Sequence, residues 1–490
     1  MVASAAGQLR VHPVCSPRST LSQSTAILLT LVAYKVVLIA IGVAASRKTS
    51  DASDFFLGGR RLGAGVAALS ASASSSSAWT LLGVSGAAYA WGVASAWIVV
   101  ACVGGFALNW FVLAPRLRRH SAEEGSLTVT EILAGPVGQP WARAIRVVAS
   151  TIVLVSLLTY VASQFQGAGK TFAETFSMSM ESAVLLGAGI VVLYTMLGGF
   201  WAVSITDTLQ GVMMAIAAVA LPIGALAQVG GLSGLADGLA AVDVAGYDSG
   251  VRGLGGASAV GFVVGLLGIG LGYPGQPHVA TRFMALRDEQ AVITGRRIAM
   301  GWALVMYIGM ITVGLCARVL LPELADKEVA FISTTRAVFP PVVAGVMIAA
   351  VLSAVMSTAD SQLLVAASAV VHDLAPRTEA SRGAMVWRSR AVVLLLSVLA
   401  VGAALCGSKE IFSRVLFAWS AMGNAFGPLL LVLVVLGPVR PAMRMASIVV
   451  GFALSVGAYW HPDLSGTAWE RVFPFVVALL IAWRGSVRKR

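Results

Sequence analysis

Two short stretches of this chain concentrate hydroxyl groups inside runs that are otherwise apolar. One reads SASASSSSAWT at residues 70–80, and the other reads SAVMSTADSQ at residues 353–362. Hydroxyls and the carbonyls of an unwound helix are oxygen ligands that suit a dehydrated sodium ion without adding a fixed charge. The two stretches together predict a cation site. A single serine in such a helix is more typical of a hydroxyl bonded back to its own backbone.

Four ionisable residues lie within apolar runs, where burying a charge is costly and function is the default interpretation. Asp360 follows Ser357 by about one helical turn, and it is a candidate to raise cation affinity or to carry a proton. Asp207 opens an apolar run, where the helix dipole alone would favour a carboxylate. Lys35 and Arg318 are able to snorkel or to pair, so no function is assigned to them.

The composition places these residues in an integral membrane protein. Hydrophobic residues are 58% of the chain and charged residues 11%, with a mean hydropathy of +0.86, whereas soluble domains have about 45–50% and about 25%. The net charge of +12 falls in short clusters between apolar runs, which indicates membrane orientation and not nucleic-acid binding. The five histidines lack ligand spacing and no GxxxxGK[ST] loop occurs. The sequence therefore gives no indication of an enzyme, of an organic cofactor or of an ATP-driven pump.

Thirteen segments are long and apolar enough to cross a bilayer, which takes about 20 residues each. Most of the basic residues, 23 of the 34 Lys and Arg with Arg282 among them, are assigned to loops on one side. The positive-inside rule makes that side cytoplasmic, so we expect the N-terminus outside and the C-terminus inside the cell. The expected spans are 25–46, 64–90, 92–114, 145–169, 183–202, 206–229, 256–283, 298–321, 342–372, 391–406, 413–437, 444–460 and 470–484.

Two of these spans are poor helices in their middles. The second contains the serine run, and the seventh contains GLGYPGQP at residues 270–277, where two prolines remove backbone donors. The two are five spans apart, which is the pattern of an inverted-repeat secondary transporter with a site at the broken helices. We therefore expect an all-helical membrane domain over residues 25–485, with spans 2–6 and 7–11 as repeats. Residues 1–24 form an extracellular segment in this interpretation, and residues 486–490 a basic cytoplasmic tail.

A series of motifs resembles the sodium:solute symporter family, and most of all its sodium/proline symporters, over roughly residues 25–485. The resemblance implies a LeuT-like fold with a 5+5 inverted repeat and broken first helices, Na⁺ as the coupling ion, and a small solute as the partner. The motifs are LGGRRLG (57–63), SASSSSAW (72–79), YTMLGGFWAVSITDTLQ (194–210), LGYPGQPHVATRFMA (271–285), SAVMSTADSQLLVAASAV (353–370) and AWSAMGNAFGP (418–428).

The resemblance also implies roles for matching residues. The sodium site would use the carbonyls of Ala73, Ser76 and Ala354 with the hydroxyls of Ser357 and Thr358. Arg60 matches a sensitive basic residue at the cytoplasmic entrance, and Asp207 matches an acidic residue linked to cation use. The solute pocket matches Ser77, Ala78, Trp79, Tyr160, Tyr273 and Pro277.

Three positions depart from the proline symporters. Ser75 stands where they carry an aspartate, Ile269 where they carry a tryptophan, and Asp360 where they carry a serine. We expect import of L-proline with Na⁺ across the cell membrane, with lipid as the surroundings and no obligate protein partner. Another amino acid, a short-chain monocarboxylate, and a sensor that reports solute without moving it remain as alternatives.

Overall fold

Helices make up the regular structure of the part of the chain that the structure describes. This computed structural model describes residues 23–46, 57–196, 199–375, 382–407 and 410–487. The expected extracellular segment lies outside this part except for its last two residues, as do residues 488–490 of the expected tail. The helices are α1 Gln23–Ser46, α2 Ala64–Ser75, α3 Ser85–Trp91, α4 Ala96–Ala107, α5 Ala114–Glu124, α6 Val129–Ala134, α7 Ala142–Phe176, α8 Met180–Thr195, α9 Phe200–Gln228, α10 Gly231–Ala240, α11 Gly256–Leu271, α12 Pro277–Met284, α13 Glu289–Leu320, α14 Ala330–Val338, α15 Pro341–Ser368, α16 Arg382–Cys406, α17 Ile411–Val435, α18 Pro441–Trp460, α19 Ala468–Arg471 and α20 Phe473–Gly485.

Ten helical segments in the described ranges are long and apolar enough to cross a membrane, which confirms the expected membrane architecture. The expected spans near 64–90, 183–202 and 470–484 are shorter pieces, namely the broken pair α2 and α3, the 16-residue α8 and the 13-residue α20. In the most apolar stretch of the segments that contain α15 and α17, 83% of residues are buried, against 28% in α1. The two hydroxyl- and glycine-rich helices therefore form the core, and α1 lies at the periphery.

The two expected helix breaks are confirmed. Helix α2 ends at Ser75, and Ser76 is extended, with φ −115° and ψ 95°. After α11 the chain makes a 3₁₀ turn at Tyr273–Gly275, and Gln276 is extended before α12 begins. Pro277 suits the first position of a helix because no backbone donor is needed there. Each break frees backbone groups in the middle of a buried helix pair.

Glycines allow α17 to pack directly on the second break. A Cβ atom on Gly275 would lie 2.6 Å from the Cα of Gly423, and one on Gly272 would lie 2.2 Å from Nε1 of Trp419. Small residues at such contacts let membrane helices approach closely. Trp419 is thereby held against the unwound turn.

Within the described ranges, three segments wind as π-helix, at Trp79–Val84, Leu108–Leu113 and Ala369–Leu374. Such turns occur often at functional sites. The first links the break after α2 to α3, the second joins α4 to α5, and the third continues α15 towards the expected cytoplasmic side. The first segment therefore continues the broken helix towards one end of the molecule. The third continues α15 towards the other end.

Candidate cation and solute site

Ser357 joins the two hydroxyl-rich stretches. Its Oγ donates to the carbonyl oxygen of Ala73 at 3.1 Å, across the gap between α15 and the end of α2. The carbonyl oxygen of Ala354, one turn earlier on α15, lies 3.3 Å from the same hydroxyl. All three residues are fully buried. Three oxygens of the expected sodium set are thus within bonding distance in a water-excluded place.

The remaining residues of that set surround this point. Thr358 Oγ1 donates to the carbonyl oxygen of Ser74 at 3.2 Å, and the amide of Ser76 bonds the Ala73 carbonyl at 3.2 Å. Ser75, which stands where a carboxylate was expected, bonds back to the Ser72 carbonyl at 3.0 Å. The oxygens at the break are therefore neutral ones.

Asp207 lies elsewhere than the sequence interpretation placed it. Helix α9 begins at Phe200, so Asp207 is about two turns inside the helix and not at its dipole-stabilised N-terminus. Its Oδ2 accepts from Arg282 at 3.0 Å and from Ser70 at 2.8 Å, and both charged side chains are fully buried. Counting Arg282 among the loop residues that orient the protein was wrong, because it lies in α12 and neutralises this carboxylate.

Asp360 is also fully buried on α15. Its Oδ1 accepts from the Ser361 amide at 2.6 Å, and its Oδ2 has no hydrogen-bond partner among the described residues. Lys35 of α1 contacts the sulfur of Met356, one turn before Asp360. A basic residue of the peripheral helix therefore reaches α15 close to Asp360.

The expected solute residues of the first break lie against α7. Tyr160 donates its hydroxyl hydrogen to Ser77 Oγ at 3.2 Å, and Ser77 Oγ accepts from the amide of Trp79 at 3.1 Å. The freed amide of Ala78 donates to Gln164 Oε1 at 3.0 Å. Ser77, Ala78 and Tyr160 are thus brought together, and Gln164 joins them.

Two aromatic groups flank this contact. Trp79 stacks on Phe412, with ring centroids 5.5 Å apart. Tyr273 meets Trp419 edge-on at 4.7 Å, and its hydroxyl lies 2.8 Å from that of Tyr307. Trp79 and Tyr273 thus each pair with an aromatic side chain of α17.

The second break completes the surroundings. Pro277 is buried and borders a small cavity of about 30 Å³ that continues towards Thr281 and Asp373. Ile269 is buried as well, and its carbonyl oxygen accepts from Trp419 Nε1 at 3.2 Å. Trp419 therefore packs beside the position where the proline symporters carry their own tryptophan.

Two buried donors at this place have no partner among the described residues. They are Nε1 of Trp79 and Nε2 of Gln164. An unpaired buried donor costs about 1–3 kcal/mol, so such groups in a native site are typical of positions where a ligand acceptor binds. Each of these groups is able to donate to an oxygen of a bound ligand.

Glu328 closes the site towards the expected extracellular side. Its buried carboxylate accepts from Lys170 at 2.6 Å and from the amides of Ile411 and Phe412 at 3.0 and 2.7 Å. These amides are the first of α17, where the helix dipole favours a negative charge. Phe412 is the residue that stacks on Trp79, so this carboxylate holds the first turn of α17 against the Trp79 ring.

Arg60 lies at the opposite, expected cytoplasmic end. Its guanidinium donates to the carbonyl oxygens of Ser126 at 2.7 Å, Ser121 at 2.9 Å and Met284 at 3.0 Å. Burial and the nearby charge of Arg118 lower the pKa of Arg60. Arg60 therefore ties α12 to the segment between α5 and α6.

Sequence reasoning missed several residues of the site, among them Gln164, Trp419 and Arg282. Trp419 falls in a quoted motif and Gln164 lies four residues after Tyr160, but a lone amide or indole carries no spacing signal. Arg282 was read as a loop residue because the short α12 ends two residues after it. Its signal was available, since an arginine in an apolar span requires a buried carboxylate such as Asp207.

Two helices broken at equivalent places, with oxygens and unpaired donors gathered at the breaks, define the class as an inverted-repeat secondary transporter. The sodium:solute symporter family model matches residues 55–446. The chain belongs to this family. It is 35% identical over 445 residues to the sodium/proline symporter of Escherichia coli (strain K12), covering 88% of this chain and 87% of that one. It is also 35% identical over 438 residues to the osmoregulated proline transporter OpuE of Bacillus subtilis (strain 168), covering 88% of each.

A solved structure shares the fold. The substrate-bound outward-open state of a Na⁺-coupled sialic acid symporter superposes with a TM-score of 0.76, covering 95% of this chain and 99% of that one at 18% identity. This likeness confirms the expected architecture of the membrane domain.

Proposed function

We propose that this protein imports L-proline together with Na⁺ across the cell membrane by alternating access. The observation that carries the proposal is the meeting of Ser357 Oγ with the carbonyls of Ala73 and Ala354, directly beside the freed segment Ser77–Trp79. A cation and a solute bound there share one unwound turn. Binding of the cation therefore orders the turn to which the solute binds, and binding of the solute orders the cation site. Transport of Na⁺ and of solute is coupled in this way without a covalent step.

The cation site is proposed to use the carbonyls of Ala73, Ser76 and Ala354 and the hydroxyls of Ser357 and Thr358. A sodium ion would take over the carbonyl oxygens of Ala73 and Ala354, which the Ser357 hydroxyl now bonds, and the hydroxyl oxygens of Ser357 and Thr358 would turn towards the ion. All five groups are neutral oxygens, which suits a monovalent hard cation better than a divalent one. Asp207 is neutralised by Arg282 and is proposed to hold α2 and α9 in position.

The solute site is proposed to lie between Trp79, Tyr160 and Tyr273, with Pro277 and Ala78 at its edges. The carboxylate of proline would accept from Gln164 Nε2 and Trp79 Nε1, the two buried donors that lack a partner. The pyrrolidine ring would lie against the aromatic faces, which exclude water. The 2.8 Å contact between the hydroxyls of Tyr273 and Tyr307 leaves the Tyr273 ring oriented by its neighbour.

Transport requires the two ends to open in turn. Glu328 and Lys170 hold the proposed extracellular closure, and Arg60 holds part of the proposed cytoplasmic one. The basic loops are proposed to face the cytoplasm, which places the N-terminus outside and the C-terminus inside. With both ends closed at once, neither ion nor solute leaks.

Uptake into proteoliposomes tests the function. The purified chain is reconstituted, and entry of labelled L-proline is measured under an inward Na⁺ gradient, under an equal K⁺ gradient, and without a gradient. Entry should be fastest with Na⁺, and it should fall when an ionophore collapses the gradient. A panel of other amino acids and short-chain monocarboxylates identifies the preferred solute.

The outcomes separate the alternatives. Faster entry of a monocarboxylate than of proline would overturn the substrate and keep the symporter. Saturable proline binding without any entry would support the sensor. Entry of every solute at equal rates with and without sodium would refute the symporter altogether.

A further inference from the structure

Three metal-binding side chains meet at the proposed cytoplasmic end, outside the site described above. His372 Nε2 lies 3.1 Å from Glu131 Oε1, and the ligand atoms of Glu131, His372 and Asp373 all lie within 4.8 Å of one another. Glu131 belongs to α6, whereas the other two belong to the π turn that continues α15. The cluster therefore bridges two elements that are far apart in the sequence.

Neighbouring groups hold these side chains in place. Thr128 caps α6 and donates to Asp373 Oδ1 at 3.0 Å, and Thr130 donates to the other Asp373 oxygen. Glu131 Oε2 accepts from the Leu127 amide at 2.8 Å, which leaves Oε1 directed at the histidine. Such outer hydrogen bonds are what orients ligands in metal sites.

The spacing and chemistry fit zinc. In a tetrahedral site with bonds of about 2.05 Å, two ligand atoms are about 3.3 Å apart. The His372 and Glu131 atoms lie at 3.1 Å, and the Asp373 oxygen, which lies within 4.8 Å of both, would move inward to bind. One imidazole and two carboxylates are ligands that Zn²⁺ accepts, whereas Mg²⁺ prefers six oxygens. The side chain of His372 is 23% exposed, so an ion can reach it from the aqueous side, and water would supply the fourth ligand.

We propose that Glu131, His372 and Asp373 form a regulatory Zn²⁺ site that locks the cytoplasmic closure. The locking effect rests on the proposed function, whereas the binding of zinc does not. The cavity that Pro277 borders is lined at its other end by Thr128, Thr130 and Asp373. Solute released from the second break would leave along this line, so α6 and the π turn must separate. A metal that ligates both elements opposes that separation.

Binding is measured first, on the full chain in detergent, by calorimetric titration with ZnCl₂. His372→Gln keeps a donor for Glu131 but removes the imidazole ligand. Its affinity for zinc should fall by about 100-fold, since loss of an outer-shell partner alone costs about 10–100-fold. The matched control is His120→Gln. His120 lies 3.4 Å from Glu124 on the surface of α5, and without a third ligand its replacement should leave zinc binding unchanged.

Equal loss of zinc affinity in both variants, or no saturable binding to the wild-type chain, would overturn the proposal whatever the protein transports.

The effect of zinc on transport is then measured in proteoliposomes loaded with Zn²⁺ or with Mg²⁺ on the proposed cytoplasmic face. Zinc should slow solute entry at least about tenfold in the wild-type chain and the His120→Gln control, and should have little effect in His372→Gln. Zinc binding without inhibition would refute the lock, and equal slowing in all three proteins would assign it to another site.

Discussion

Replacing Gln164 by glutamate tests the proposed carboxylate contact with little change in shape. Gln164 is fully buried, and its Oε1 accepts from the Ala78 amide at 3.0 Å. Glutamate keeps an oxygen for that amide and exchanges only Nε2, the donor that lacks a partner, for a second oxygen. The substitution therefore removes one hydrogen bond to the solute and preserves the bond that shapes the break.

The expected magnitude follows from the charge on the acceptor. A hydrogen bond to a charged group contributes about 1.5–3 kcal/mol, which corresponds to about 10- to 150-fold in affinity. Repulsion between the new carboxylate and that of proline adds to the loss. The defect should shrink as the pH falls, because a protonated glutamate regains one donor.

The assay is the KM for proline in proteoliposomes at saturating Na⁺, with calorimetric binding in detergent as a second readout. The matched control is Gln166→Glu. Gln166, two residues further along α7, accepts from Arg414 at 2.9 Å and donates to the Ala404 carbonyl at 2.8 Å. Glutamate there gains an ion pair with Arg414, and the KM should change less than about threefold. An unchanged KM in Gln164→Glu, or an equal rise in both variants, would refute the carboxylate contact.

Three further predictions concern the cation site, the outer closure and the buried ion pair. Ser357→Ala should raise the Na⁺ concentration for half-maximal uptake by about tenfold or more, since one charged contact of about 1.5–3 kcal/mol is lost, and an unchanged value would remove Ser357 from the site. Glu328→Gln should speed hydrogen exchange of the Phe412 amide about tenfold by mass spectrometry, because a neutral group replaces the carboxylate at the helix N-terminus; equal protection would show that the carboxylate does not hold α17. Asp207→Asn should cost about 3–5 kcal/mol of stability by leaving Arg282 buried without its partner, seen as a lower thermal midpoint, and adding Arg282→Met should recover most of it; a midpoint equal to wild type would contradict this.

The sequence predicted those features that depend on helix-breaking residues. Pro277 and the serines before Trp79 break their helices by local chemistry, so both breaks were visible without any structure. Ten of the thirteen expected spans also correspond to long apolar segments in the described ranges, because a bilayer sets the length of a crossing helix.

Contacts between distant segments were less accessible. Tyr160 and Ser77, both expected near the solute from the resemblance, lie in contact, but the stacking of Trp79 on Phe412 was not predicted. Ring pairing depends on how α17 packs, and hydropathy carries no information about that. Burial of a charge is similarly a property of the assembled bundle, which is why Arg282 was taken for a loop residue.

Helix α15 and the π turn that continues it connect the proposed cation site to the proposed cytoplasmic exit. Ser357 belongs to the proposed cation site, and His372 lies in the π turn. The two are 15 positions apart, which is about 22 Å along a helix. A helix of this length that tilts as a rigid body converts a small movement at the proposed ion site into a larger displacement at the proposed exit. Release of the ion and opening of the exit would then be coupled through one helix. Either event without the other would require that helix to bend.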